Sequence, residues 1–238
     1  MVGTTLQKLV SFSRQENQRV SDSRERILRR IREGISPEEA EAIERPGIPE
    51  IWPPVSATAE ELFARFQQEL AAVQGEACRV VSGEQAQVRL RSLAEQFHWH
   101  AIGFRDCPVV RTVIEGFPPA QLREVNERWT PRQIATLDAA VIPGEIFLAD
   151  TGSAVLICAE QWQRLLCYLP PACVIVGYLD RLYAHMGAAW PAIAAWAQDP
   201  EVRGEFVIVT GPSRTSDIEK VLTLGVHGPK QLWIFLLE

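Results

Sequence analysis

Residues 137–157 read LDAAVIPGEIFLADTGSAVLI. Three apolar runs, Leu137 to Ile142, Ile146 to Ala149 and Ala154 to Ile157, are separated by Pro143-Gly144 and Thr151-Gly152, both turn-forming pairs. Each run is too short for a helix and reads as extended. The apolar residues are consecutive rather than alternating, so both faces of such strands must be covered. The same pattern returns at Cys173-Val-Ile-Val176 after Pro170-Pro171, at Phe206-Val-Ile-Val-Thr210 and at Leu232 to Leu237. Arg79-Val80-Val81 and Ala101 to Phe104 are shorter extended pieces. Helical periodicity fills the gaps: Leu62, Phe63, Phe66, Leu70 and Val73; Leu90, Leu93 and Phe97; Leu122, Val125 and Trp129; Tyr178 to Gln198, broken at Pro191; and Ile218, Val221, Leu222 and Gly225. Strands alternating with helices predict an α/β fold, a mostly parallel sheet covered by helices.

Residues 1–54 differ in character from 55–238. Ile27, Leu28, Ile31 and Ile35 form an apolar stripe among five arginines, predicting a helix that starts near Asp22 or Ser23 and ends at Gly34. Ser36 and Glu39 have capping-box spacing for a second short helix. Four prolines between Arg45 and Pro54 then exclude regular structure. The expected organisation is an N-terminal helical arm with a proline-rich linker over 1–54 and an α/β domain over 55–238. The basic helix reads as a solvated face over an apolar stripe; docking on an acidic partner is the other use of such a helix.

The 238 residues carry a formal net charge of −6, which gives no global attraction to nucleic acid or anionic lipid. No apolar run approaches the ~20 residues of a membrane helix. The first fifteen residues lack the order of a signal peptide, so the expected compartment is the cytoplasm. Cys78, Cys107, Cys158, Cys167 and Cys173 show no C-x-x-C spacing. They read as reduced and mostly buried, and no metal is expected on this chain. His98-x-His100 would put two imidazoles on one side of a strand, with no third ligand nearby in sequence.

Ligands of open α/β sheets bind beyond the C-terminal ends of the strands, and two turns are candidates by that rule. In Leu148-Ala-Asp-Thr-Gly-Ser153, Asp150 stands at a strand end as a base, nucleophile or hydrogen-bond acceptor, beside Thr151, Gly152 and Ser153. Asp150 and Thr151 equally serve such a turn by bonding its own backbone. The second turn, Val209-Thr-Gly-Pro-Ser-Arg-Thr-Ser-Asp-Ile-Glu219, reads as strand, glycine turn and helix. Gly211, Ser213, Arg214, Thr215 and Asp217 would then form an anion site at a helix N-terminus. Ser216 to Glu219 also has capping-box spacing, which explains the serines and acids but leaves Arg214 at the positive end of the helix. His227, in Leu224-Gly-Val-His-Gly-Pro-Lys230, is a general base or a C-terminal helix cap.

Gly211-Pro-Ser-Arg-Thr-Ser-Asp-Ile-Glu219 followed by Leu224-Gly-Val-His-Gly-Pro229 resembles the signature of the LUD-domain proteins, and most nearly the lactate utilisation protein C family. Ala149-Asp-Thr-Gly-Ser-Ala-Val-Leu156 is similar to that family's A-E-[TS]-G-T-x-V-L motif, and Leu169-Pro170 to its following L-P. The chain departs from the pattern at Asp150, where Glu is usual, at Ser153, where Thr is usual, and at Ala172-Cys173, where many members place a histidine. The resemblance implies a fold similar to the NagB/RpiA/CoA-transferase-like superfamily. It implies a part in oxidising L-lactate to pyruvate beside cysteine-rich iron–sulfur lactate utilisation proteins, which carry the clusters. On that reading the chain is a non-cluster subunit or accessory factor holding a small carboxylate or phosphate. The alternative is a free-standing CoA-transferase-like or sugar-phosphate-type enzyme using the Asp150 turn.

Overall fold

The computed structural model describes residues 22–34, 52, 55–200, 202, 205–216, 222–225 and 227–238. The chain divides into two units, Met1–Ile51 and Trp52–Glu238. In the first, helix α1 covers 22–34, as its end signals predict. Ile27 and Ile31 on it are exposed, and Arg29 pairs with Glu33 one turn on at 3.8 Å. The expected second helix at Ser36 lies outside the described residues, as does the linker apart from Trp52.

Six parallel strands form the main sheet: β1 (Glu76–Val80), β2 (Ile102–Phe104), β3 (Leu122–Glu124), β4 (Ala139–Pro143), β7 (Ala172–Tyr178) and β12 (Gln231–Leu237). Their order is β1-β12-β7-β4-β2-β3. A second sheet, ordered β8-β5-β6-β9, comprises β5 (Ile146–Leu148), β6 (Ser153–Cys158), β8 (Leu182–Tyr183) and β9 (Glu205–Val209). There β5 and β6 form an antiparallel hairpin, β9 runs antiparallel to β6, and β8 is parallel to β5. The helices are α2 (Ala59–Ala72), α3 (Gly83–Gln96), α4 (Pro108–Ile114), α5 (Pro131–Ile134), α6 (Gln161–Tyr168) and α7 (Met186–Ala197).

The consecutive apolar runs follow from this layering, because side chains alternate between the faces of a strand. On β12, Leu232, Ile234 and Leu236 join the core under α2, α5 and α6, while Trp233, Phe235 and Leu237 join the core under α3 and α4. On β4 and β7 the split is the same: Ala140, Ile142, Cys173 and Ile175 face one way, Ala139, Val141, Val174 and Val176 the other. The second sheet lies over the first core. Phe147 meets Phe66 of α2 edge to face, with ring centroids 6.1 Å apart. The opposite face of that sheet, Ile146, Leu148 and Val155, is covered by Ala189 and Ile193 of α7.

Three helical readings are corrected. Leu122–Glu124 is strand β3, paired to β2, and the Val125 N–H continues the ladder to the Phe104 carbonyl at 3.0 Å. The next helix waits for the capping box at Thr130 and Gln133. Leu222–Leu224 is strand β11, antiparallel to β10 (Arg214–Ser216), so no helix starts at Arg214. α7 runs through Pro191. Pro191 has no N–H to offer the Gly187 carbonyl, so that rung is missing while the helix continues.

Candidate functional site at the hairpin tip

The chain leaves β4 at Pro143-Gly144-Glu145 and enters β5, so the hairpin is rooted at the C-terminal edge of the parallel sheet. Its tip lies at the opposite edge. Gly152 adopts φ +63°, and a Cβ there would stand 2.8 Å from Leu70 Cα, in the last turn of α2 just ahead of β1. The second motif reaches the same edge. Gly211, at φ +89°, packs on Val73, and the Ser213 N–H donates to the Pro229 carbonyl at 2.8 Å. Pro229 leads into β12, and the Lys230 N–H donates to the Pro171 carbonyl, which leads into β7, at 2.8 Å. Both turns therefore sit at the N-terminal ends of the main-sheet strands, which corrects the expected C-terminal placement.

The two turns touch. The Ser153 hydroxyl donates to Thr151 Oγ1 at 2.8 Å and lies 2.7 Å from Thr210 Oγ1. Each hydroxyl has one proton, so with Ser153 donating to Thr151 the second bond runs from Thr210 to Ser153. Ala154 pairs with Val209 across β6 and β9, which fixes this meeting by register. Asp150 donates its backbone N–H to the Ala184 carbonyl at 3.1 Å, but its buried Oδ1 has no hydrogen-bond partner among the described residues. A buried acceptor without a donor is uncommon and expensive, by ~1–3 kcal/mol.

Arg214 is not at the positive end of a helix. It is exposed, and its Nη2 reaches the Ala72 carbonyl at the C-terminal end of α2 at 3.5 Å, where a cation complements the helix dipole. It forms no ion pair among the described residues. Thr215 lies on β10, opposite Thr223. Asp217 lies outside the described residues. His227 is exposed and makes no side-chain hydrogen bond or ion pair with a described residue. The next residue, Gly228, packs close on Ser213.

Sequence reasoning named Ser153 but missed His185, Arg105 and Glu145. Ser153 and His185 are the two buried polar or charged residues described, and both belong to this tip. His185 caps α7, its Nδ1 accepting the Ala188 N–H at 3.0 Å. A histidine just ahead of a long apolar helix was the available signal. Arg105 and Glu145 stand at the other end of the hairpin, where β2 and β4 diverge toward opposite sides of the sheet. That is the crossover position favoured for ligands. The Arg105 guanidinium bonds the Ile157 carbonyl at 3.0 Å and stands 3.7 Å from Glu145 Oε1, while Glu145 Oε2 accepts the Ile157 N–H at 2.9 Å. Burial pushes the Glu145 carboxyl up to about 7 against the opposing pull of the Ile157 N–H and Arg105. Burial likewise raises the thiols of Cys107 and Cys158, so neither is an activated nucleophile.

All five cysteines are free, three of them buried. His98 and His100 lie in the turn after α3 rather than on a strand, with His98 at φ +54°. Among the described residues, no three His, Cys, Asp or Glu side chains group as a metal ion requires. Among the same residues no helix is long and apolar enough to cross a membrane.

The LUD domain family matches residues 63–237. "Lactate utilization protein C" of Geobacillus thermodenitrificans is 24% identical over 192 residues, covering 71% of this chain and 78% of that protein. "Lactate utilization protein C" of Bacillus licheniformis is 32% identical over 95 residues, covering 40% of each chain. The crystal structure of a DUF162 family protein from Deinococcus radiodurans superposes with a TM-score of 0.54 at 16% identity, covering 77% of this chain and 100% of that one, a likeness of fold. With the family match spanning most of the α/β unit and both signature turns meeting at the hairpin tip, this chain is a member of the LUD domain family.

Proposed function

We propose that this chain is the non-cluster subunit, or an accessory factor, of an L-lactate oxidation system. It works beside cysteine-rich iron–sulfur proteins and holds a small carboxylate at the tip of the β5–β6 hairpin. The observation that carries the reading is the junction of the two signature turns through Ser153 and Thr210, next to an Asp150 oxygen with no partner. A ligand hydroxyl or N–H is what that oxygen lacks. Arg214, exposed with four guanidinium donor hydrogens to spare beyond the bond to Ala72, is the cation suited to the carboxylate. The names of the relatives supply lactate as the metabolite.

The test is affinity capture of the tagged chain from its own host grown on L-lactate. Co-purification of brown, cysteine-rich proteins supports the reading. A solitary protein that turns over a CoA ester or sugar phosphate would replace it with the free-standing enzyme.

A further inference from the structure

Beyond the end of the β5–β8 pairing, the Asp150 turn is bonded to the backbone next to His185. Phe147 pairs with Leu182 and Leu148 with Tyr183, in parallel. The bond from the Ala149 N–H to the Tyr183 carbonyl (2.8 Å) continues that ladder by one rung. The bond from the Asp150 N–H to the Ala184 carbonyl (3.1 Å) belongs to the turn and ties Asp150 to the residue just before His185.

His185 is 9% exposed. Its Nδ1 is committed to the Ala188 N–H, so the neutral ring carries its proton on Nε2. No described residue accepts that Nε2–H. The ring is held flat against Trp52, with centroids 5.9 Å apart and planes 8° from parallel. A Cβ on Gly187 would lie 2.8 Å from the Trp52 ring, so glycine there leaves room for the stack. Helix capping alone does not account for the choice of residue, because Ser, Thr, Asp and Asn are the preferred caps. A histidine adds what those side chains lack, a second polar atom beyond the capping one.

We infer that His185 is the second polar contact of the Asp150 site, its Nε2–H donating to a carbonyl or carboxylate oxygen of the ligand. The inference rests on the hairpin tip being the ligand site. It narrows the ligand class to small 2-hydroxy or 2-oxo acids. Asp150 then takes the hydroxyl of the first kind, and His185 takes an oxygen common to both.

The test titrates L-lactate and pyruvate calorimetrically into the full chain and its variants. Asparagine at 185 keeps an oxygen to cap Ala188 and removes the distal donor. His185→Asn therefore melts with the unaltered protein and binds both acids at least tenfold more weakly, as loss of a charge-assisted bond predicts. His185→Gln, whose amide nitrogen replaces Nε2, recovers part of the binding. Asp150→Asn weakens L-lactate and spares pyruvate. In the unaltered protein the His185 Nε2 resonance shifts when L-lactate is added. Unchanged affinity in His185→Asn, an unmoved Nε2 resonance, or a loss of binding that tracks a lowered Tm overturns the role of His185. If Asp150→Asn still loses L-lactate in that case, the hairpin-tip site stands without it. Binding of neither acid by the unaltered protein overturns both.

Discussion

The carboxylate of Glu145 stands in for a neighbouring strand at Ile157. The β5–β6 ladder ends where the Glu145 N–H meets the Val155 carbonyl at 2.9 Å, and Ile157 lies two residues further along β6. Its N–H and carbonyl are taken instead by the Glu145 side chain at 2.9 Å and the Arg105 side chain at 3.0 Å. Two side chains thus pin the root of the hairpin whose tip carries Asp150. The crossover between β2 and β4 is filled by this clamp, whereas the Asp150 oxygen at the tip has no partner among the described residues.

The clamp has a pH signature. The Glu145 carboxyl lies at about 7 in the folded chain against 4.5 ordinarily, because burial opposes its charge. The folded state then binds the proton more tightly than the unfolded one. Its contribution to stability is whole below pH ~4.5 and is lost as pH rises through about 7. Glu145→Gln keeps an acceptor for the Ile157 N–H and cannot ionise. Denaturant melts at pH 5 and pH 8 should show the variant gaining on the unaltered protein by at most ~3 kcal/mol across that interval. Parallel pH dependences would contradict the assignment.

The layering was legible in the sequence because its cause is local. β4, β7 and β12 are apolar at nearly every position since both faces are covered, and such runs identify themselves. The two strands of the hairpin and the Thr151-Gly152 turn between them were legible for the same reason, but their antiparallel pairing in a second sheet was not. The segment at Arg214 was not, because Ser216 and Glu219 carry a capping signal while the backbone of 214–216 is claimed by Leu222–Leu224 across a hairpin. The polar run Arg214-Thr-Ser216 shows no apolar alternation by which that pairing could be read. The error carried over to Arg214, whose role depends on the end of α2, 142 residues away in sequence. The edge of the sheet on which a turn emerges is equally a matter of topology. His185 escaped notice because Trp52 and the Asp150 turn, distant in sequence, come near it only in the folded chain.

Ser153 supplies both bonds that tie Thr151 to Thr210. Ser153→Ala removes both, and the exposed threonines turn to water. The expected cost is ~1 kcal/mol, read as a small fall in denaturation midpoint at unchanged slope. A fall beyond ~3 kcal/mol would mean that the hydroxyl holds far more than this junction.

Gly152 is required twice over, by its φ of +63° and by the backbone of Leu70 against it. Gly152→Ala should cost more than the ~1–2 kcal/mol of the left-handed conformation alone, because the tip must also move off α2. A Tm within a degree of the unaltered protein would show that the tip does not pack there.

Arg214→Ala should lower stability slightly, by ~0.3–1 kcal/mol, since the cation leaves the carbonyl end of α2. Affinity for L-lactate should fall tenfold or more in the same protein. A rise in stability would restore the idea of a cation opposing a helix N-terminus. Full affinity would remove Arg214 from the site.

A hairpin tip that serves lactate utilisation through its unpartnered Asp150 oxygen makes that oxygen necessary in the living host. The measurement that tests this most directly is growth of the native host on L-lactate as sole carbon source, with the chromosomal copy carrying Asp150→Asn. Lost or severely slowed growth on L-lactate and normal growth on pyruvate are expected, with the variant protein present at its usual level and Tm. Normal growth on L-lactate with that variant would contradict this role of Asp150.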